Sequence, residues 1–289
     1  MSQTHTQTEP KPIRASDWDT PDRVRNLMTA KVTTVAPSDD LAFAMQLMLW
    51  GGVRHLPVID DGKLVGILSD HDLLPPRDAP NLASHLERKV RDVMRHPVKV
   101  VHPDDDVREA AGLMAAARIH CLPVIDDDEL VGIITSSDIL AERGRLFFKA
   151  GKGKVPTAVD LMSRDPIAFH PEDKLFDLIV RMVREDIRHV PIVDSDGRVV
   201  GVVTDRDVRV VVGDPLHALA ESDELELEDL TAAHAMTPHP VTVPEEATIL
   251  ELTRTFIDER VGAALVVDRN ERLIGVVSYV DLLRFFVAP

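Results

Sequence analysis

Residues 53–72 read VRHLPVIDDGKLVGILSDHD, and the reading of that stretch decides the fold. Two apolar runs, HLPVID and KLVGILS, flank Asp61-Gly62, a pair suited to the positive φ angles of a tight hairpin turn. The second run ends on Ser69-Asp-His-Asp72, a hydroxyl followed three residues later by a carboxylate, which is how a capped helix begins. A β-hairpin feeding a helix is predicted. HVPIVD and RVVGVVT repeat the pattern around Asp196-Gly197.

Working outward, Leu41, Ala44, Met45 and Met48 recur at helical spacing before Gly51-Gly52 ends the run. Before that helix, a β-rich segment such as VTTV or VKVV reaches a proline at 37, 103, 171 and 244. A short helix ending in methionine opens each unit, at Met28, Met94, Met162 and Met236, spaced by 66, 68 and 74 residues. The hairpin glycines Gly66, Gly132, Gly201 and Gly275 follow at intervals of 66, 69 and 74, so the landmarks travel together. The chain is therefore one α-β-α-β-β-α unit used four times, an α+β fold. Such a unit is longer than solenoid repeats of about 20 to 50 residues, and its apolar strands need a second copy to cover them. Pairing of neighbours predicts a tail at 1–21, one module at 22–145, a linker at 146–156 and a second module at 157–289.

With 33 Lys and Arg against 49 Asp and Glu, the 289-residue chain carries a net charge of −16, which argues against a nucleic-acid partner held through its phosphates. Aromatic residues at 4% leave no stacking surface for single strands. One cysteine, Cys121, cannot form an internal disulfide, and no Cys/His cluster has zinc spacing, so a cytoplasmic protein without a metal is expected. No apolar run suggests a membrane span. Met45 and Met48 read as core, Cys121 as packing, His102 and His170 as strand ends, and Gly151-Lys-Gly-Lys154 as linker. The acidic stretch from Asp214 to Asp229 reads as a solvated helix or loop.

The recurrent motif is G-h-h-[ST]-x-x-D, with Ser69 and Asp72, Thr135 and Asp138, Thr204 and Asp207, and Ser278 and Asp281. Helix capping explains each pair without a ligand. A helix start with free amides, a hydroxyl and a carboxylate also suits an anion and the two hydroxyls of a ribose. Both readings stand on the residues alone.

The run VRNLMT…VTTVAP…GGVRHLPVID…GKLVGILSDHDLL resembles the cystathionine-β-synthase (CBS) domain, and the resemblance extends from Val24 to Leu283. It implies four βαββα-type repeats paired about pseudo-twofold axes into two Bateman modules, whose clefts bind adenosine-containing ligands. By position, Asp72, Asp138, Asp207 and Asp281 would hold ribose hydroxyls, and Ser69, Thr135, Thr204 and Ser278 ribose or phosphate. Thr34, Val100, Ala168 and Thr242 would line the adenine or ribose end. Arg54, His55, His120, Arg188, His189 and Arg206 would meet phosphates, whereas Gly262-Ala263 and Leu265 set the fourth repeat apart. The resemblance implies a non-catalytic regulatory protein, with AMP, ADP or ATP as a regulatory ligand and no required cofactor. It would act on a separate effector protein or on its own assembly. Exposed apolar helix faces favour either closure of the two modules of one chain into a disc of four repeats or pairing of two chains as a homodimer. A ligand-independent scaffold is the alternative, and an enzyme acting on nucleotides a distant third.

Overall fold

A computed structural model describes residues 22–74, 82–150, 155–212 and 229–287. The tail 1–21, the linker residues 151–154 and the acidic run up to residue 228 lie outside the described residues.

Each repeat is organised around its antiparallel hairpin. These are β1 (His55–Asp60) with β2 (Lys63–Ser69), β3 (Cys121–Asp126) with β4 (Glu129–Thr135), β6 (His189–Val193) with β7 (Val199–Thr204), and β10 (Ala263–Val267) with β11 (Leu273–Ser278). All four hairpins shift register at the same point, as at Val58/Ile59, which adds twist where the sheet wraps its helix. The amphipathic helices are α2 (Leu41–Gly51), α4 (Val107–Ala117), α7 (Leu175–Glu185) and, late in the chain, α10 (Ile249–Asp258). Asp40 starts the first of them by accepting a 2.8 Å hydrogen bond from the Phe43 amide.

The short opening helices reveal which repeats pair. These are α1 (Val24–Leu27), the 3₁₀ turn Val90–Asp92, α6 (Ala158–Leu161) and α9 (Ala232–Ala235), and each packs on the other repeat of its pair. A Cβ added at Gly66 would lie 2.5 Å from Met94 Sδ, one at Gly132 2.6 Å from Met28 Sδ, and one at Gly201 2.8 Å from Met236 Sδ. Met162 sits over Gly275 in the same way. The hairpin glycine is thus the seat for its neighbour's methionine, in the pairs 1–2 and 3–4. Backbone bridges Thr29 to Ile133 and Ile67 to Arg95 cross the first pair. In the second, β5 (Ser163–Arg164) joins β11 and β8 (Thr237–Pro238) joins β7.

The β-rich segment upstream of each helix is a regular strand only in the fourth repeat, as β9 (Thr242–Pro244). In the others it makes one parallel bridge, Val35 to Val58, Val101 to Val124 and Phe169 to Ile192. The reason is the residue that sets the fourth repeat apart. Leu265 donates its amide to Val241 O at 3.0 Å, a bond that Pro57, Pro123 and Pro191 cannot make.

The closing helices also differ from the expectation of four similar elements. In the first repeat the described residues after the hairpin form a 3₁₀ turn, Asp70–Leu73, because Leu74 precedes Pro75 and takes an extended backbone. The others are α5 (Ser136–Ala150), α8 (Asp205–Val212) and α11 (Tyr279–Val287). Helix α5 continues past Gly144 through residues 146–150, the start of the expected linker. Between the first two repeats lies α3 (Leu82–Leu86).

One hydrophobic core spans repeats 2 and 4, where α4 and α5 pack on α10 and α11 through Met114, Ile139, Leu252 and Leu282. Repeats 1 and 3 keep separate cores, around Leu41 and Leu68 and around Leu178 and Val203. The two modules of a single chain are therefore packed on each other.

Candidate functional site

The four motifs share one local geometry. Asp72 Oδ2 accepts from the Ser69 amide at 2.7 Å and its hydroxyl at 2.6 Å. Asp138 takes the same bonds from Thr135 (2.8 and 2.6 Å), Asp207 from Thr204 (2.8 and 2.6 Å) and Asp281 from Ser278 (2.8 and 2.6 Å). In two of them the other oxygen meets the paired repeat. Asp72 Oδ1 accepts from Arg95 Nε at 3.1 Å and Asp207 Oδ1 from Thr237 Oγ1 at 3.2 Å. All four carboxylates are half-buried and fixed in orientation by their own hydroxyl residue.

The cations picked out by sequence converge where the modules meet. The residue after each motif hydroxyl donates its amide to the residue before the hairpin: Asp70 to Arg54 O, Ser136 to His120 O, Asp205 to Arg188 O and Tyr279 to Gly262 O, at 2.8–3.1 Å. This ties each of Arg54, His120, Arg188 and Gly262 to the motif of its own repeat, and contacts between repeats bring them together: His120 stacks on Tyr279, and Gly262 lies against His189. Arg54 Nε lies 3.1 Å and Arg206 Nη1 3.5 Å from Asp70 Oδ2, joining repeats 1 and 3. Arg54 Nη1 reaches Arg260 O at 3.0 Å and Arg188 Nη1 reaches Arg118 O at 3.3 Å. Those carbonyls belong to residues just past helix C-termini, where unpaired carbonyls favour a cation. Arg118 in turn binds Asp186, through the carbonyl at 2.6 Å and the carboxylate at 2.5 Å.

The electrostatics follow from this crowding. Burial pushes the His55 imidazole down to about 4, with Asp70 and Asp72 opposing the shift. Burial, reinforced by His55 and Arg54, takes His120 down to about 3. His189 is also lowered by burial, against the pull of Asp205 and Asp207. Burial opposes ionisation of Asp70, but the His71 hydrogen bond and the Arg54 guanidinium outweigh it and hold this carboxyl well below its usual range. At neutral pH the centre holds neutral imidazoles beside charged guanidinium groups. Polyanion recognition would draw first on Arg54, Arg188 and Arg206.

Sequence reasoning missed Asp70, His71, Tyr279 and Arg118. Asp70 and Tyr279 occupy the same place in their motifs, filled by Ser136 and Asp205 in the other repeats, so variation there was the available signal. Tyr279 stacks on His120 with ring centroids 3.8 Å apart. Gly262, where the fourth repeat lacks a cation, leaves room for its neighbour: a Cβ there would stand 3.2 Å from His189 Nε2.

Of the first-strand positions, Thr34 and Val100 are half-buried, whereas Ala168 and Thr242 are exposed. Val100 lines a cleft of about 440 Å³ between Lys63–Val65 and Pro97-Val98, a cleft that Asp72 and Asp138 do not line. Cys121 is buried, and burial raises its thiol to about 12, as befits a packing residue.

A sequence model of the CBS domain matches residues 24–75, 90–144, 158–214 and 228–288. The chain belongs to the CBS-domain family. It contains four CBS repeats, arranged as two Bateman modules. MJ1225, an uncharacterized CBS-type relative from Methanocaldococcus jannaschii, is 26% identical over 273 residues, covering 89% of this chain and 95% of that protein. The crystal structure of MJ1225, proposed to be an archaeal homologue of γ-AMPK, matches with a TM-score of 0.69 at 24% identity, over 92% of this chain and all of that one. An uncharacterized conserved protein from Pyrococcus horikoshii gives 0.59 at 22% identity, with 92% and 100% covered. Inosine-5'-monophosphate dehydrogenase of M. jannaschii is 30% identical over 187 residues, 63% of this CBS chain but 36% of the enzyme. Among the described residues no helix is long and apolar enough to cross a membrane.

Proposed function

We propose that this CBS protein is a non-catalytic regulatory sensor that binds an adenosine-containing ligand, AMP, ADP or ATP, in the clefts of its two modules. Asp72, Asp138, Asp207 and Asp281 take ribose hydroxyls, and Ser69, Thr135, Thr204 and Ser278 contact ribose or phosphate. Thr34, Val100, Ala168 and Thr242 line the adenine or ribose end, within modules spanning 22–145 and 157–289. The observation that carries this reading is four motif carboxylates, each oriented by its own hydroxyl residue, with those of repeats 1 and 3 beside the cluster of Arg and His where the modules meet. Arg54 with His55 and Arg188 with His189 supply phosphate contacts in repeats 1 and 3, where the imidazoles also sense the motif carboxylates Asp72 and Asp207. Arg206 adds a guanidinium and His120 an imidazole from a third repeat. A ligand that binds one packing of the modules better than another shifts that equilibrium, and the output passes to a separate effector protein or to the protein's own assembly.

The reciprocal capping bonds favour a second reading, a scaffold in which the motifs only start helices. A thermal-shift panel of AMP, ADP, ATP and S-adenosylmethionine separates the two. Ligand at about 100 times its Kd adds about 2.7 kcal/mol to native stability. The sensor reading expects stabilisation by at least one nucleotide, weakened by Asp72→Ala or Asp207→Ala. A flat panel on folded protein supports the scaffold.

A further inference from the structure

The four motif carboxylates are alike at Oδ2 and unlike at Oδ1. In two of them Oδ1 meets the residue that follows the methionine of the paired repeat, Arg95 for Asp72 and Thr237 for Asp207. The same sequence position holds Thr29 in the repeat paired with Asp138's and Ser163 in the repeat paired with Asp281's, each bridging the hairpin strand that leads to the motif. Three are small hydroxyl residues and one is an arginine. Thr237 gives Asp207 a bond from a neutral hydroxyl, and Asp138 and Asp281 have no hydrogen-bond partner at Oδ1 among the described residues. Arg95 lays its guanidinium on Asp72 at 3.1 Å.

We infer that Arg95 is a built-in competitor for the ribose at the first motif, so that Asp72 offers its site to nucleotide more weakly than an Asp72 paired with a small residue would. The inference rests on the reading of these carboxylates as ribose acceptors. A ribose diol offers two O–H donors, and with Oδ2 already taking two bonds from Ser69 it must use Oδ1. There its neutral hydroxyl has to displace a guanidinium that is ion-paired with the same carboxylate. The Arg95 backbone cannot retreat, because its amide donates to Ile67 O at 2.9 Å and its carbonyl accepts from the Ile67 amide at 3.1 Å. Its side chain can, being 65% exposed, whereas Asp72 is 9% exposed and gains little from water once uncovered. The contact therefore weakens binding without abolishing it. The first motif, with Arg54 and His55 nearby, has the phosphate side of a strong site and a ribose side held by its partner repeat.

Titration calorimetry of the full chain with AMP, and separately with ATP, tests this using Arg95→Thr, which copies the third repeat's partner. Exposed ion pairs and charged hydrogen bonds of this kind translate into about three- to tenfold tighter binding at the first site in Arg95→Thr. The gain should vanish when Asp72→Ala is added, and Arg95→Lys should retain most of the wild-type weakness. An Arg95→Thr isotherm that overlies wild type, while Asp207→Ala still loses affinity, overturns the competitor and leaves the ribose reading standing. If neither nucleotide binds, or no motif Asp→Ala change alters binding, the ribose reading fails and this inference falls with it.

Discussion

Where repeats 2 and 4 meet, Ala115 is 4% exposed, whereas Leu49, three residues before the helix cap just as Ala115 is, stands 71% exposed in repeat 1. Val183 holds the same place in repeat 3 and is 39% exposed. Phe43, Trp50 and Val210 are exposed on these repeats too. Same unit, same hairpin and same cap have produced a closed side and an open one. The second helix makes the difference, since α5 and α11 supply long apolar faces and the first repeat stops at Leu73 before its prolines. Module packing thus depends on the repeat-2 and repeat-4 helices, and the repeat unit by itself does not specify it.

The largest expected effect lies in the shared core. Leu282→Ala or Ile139→Ala, at fully buried positions, should cost about 2–5 kcal/mol in urea unfolding. Leu49→Ala on the open side should stay within about 0.5 kcal/mol. Equal costs would break the comparison.

Next come the interlocks inside each pair, which the comparison treats as equivalent on both sides. Gly66→Ala, with its Cβ driven into Met94, should cost about 1–3 kcal/mol, and Gly201→Ala against Met236 a similar amount. Adding Met94→Ala to Gly66→Ala should recover part of the loss, and a double-mutant cycle measures how much.

The centre between the two sides should report pH. His55 and His120 have folded-state values of about 4 and about 3, below the ordinary 6.5, so the unfolded chain binds more protons as acidity rises. Their contribution is complete above pH 6.5 and is lost as pH falls from 6.5, toward about 4 for His55 and about 3 for His120. The unfolding midpoint should therefore drop across that window, and less so in His55→Asn/His120→Asn. The smallest effect is expected at the bridge from repeat 2 to repeat 3, where Arg118→Ala should cost no more than about 1 kcal/mol because both partners are exposed.

Much of this was legible beforehand because it is local. The hairpin turns, the capped motifs and the methionine-glycine spacing follow from short-range chemistry, and the spacing also implied pairing. Leu265 was visible as a departure, but its consequence needed the parallel neighbour that its amide reaches. Pro75 was visible as well, and its cost to the first repeat's last helix could have been read from the residue before it. The helix C-caps Arg118 and Asp186, and Arg260 one residue past the cap of its helix, all at positive φ, carried no glycine to announce them. Their contacts with Arg54 and Arg188 cross between modules, as do those of Asp70 and Tyr279, and no periodicity along one chain encodes how two modules face each other.

The account stands or falls on the motif carboxylates acting as ribose acceptors. Equilibrium dialysis of AMP, ADP and ATP against wild type and Asp207→Ala measures this directly. The account predicts saturable binding of at least one nucleotide and a loss of about tenfold in Asp207→Ala, while the ligand-free variant loses only a helix cap, about 1 kcal/mol. Equal binding by both proteins, or no binding by either, would contradict it.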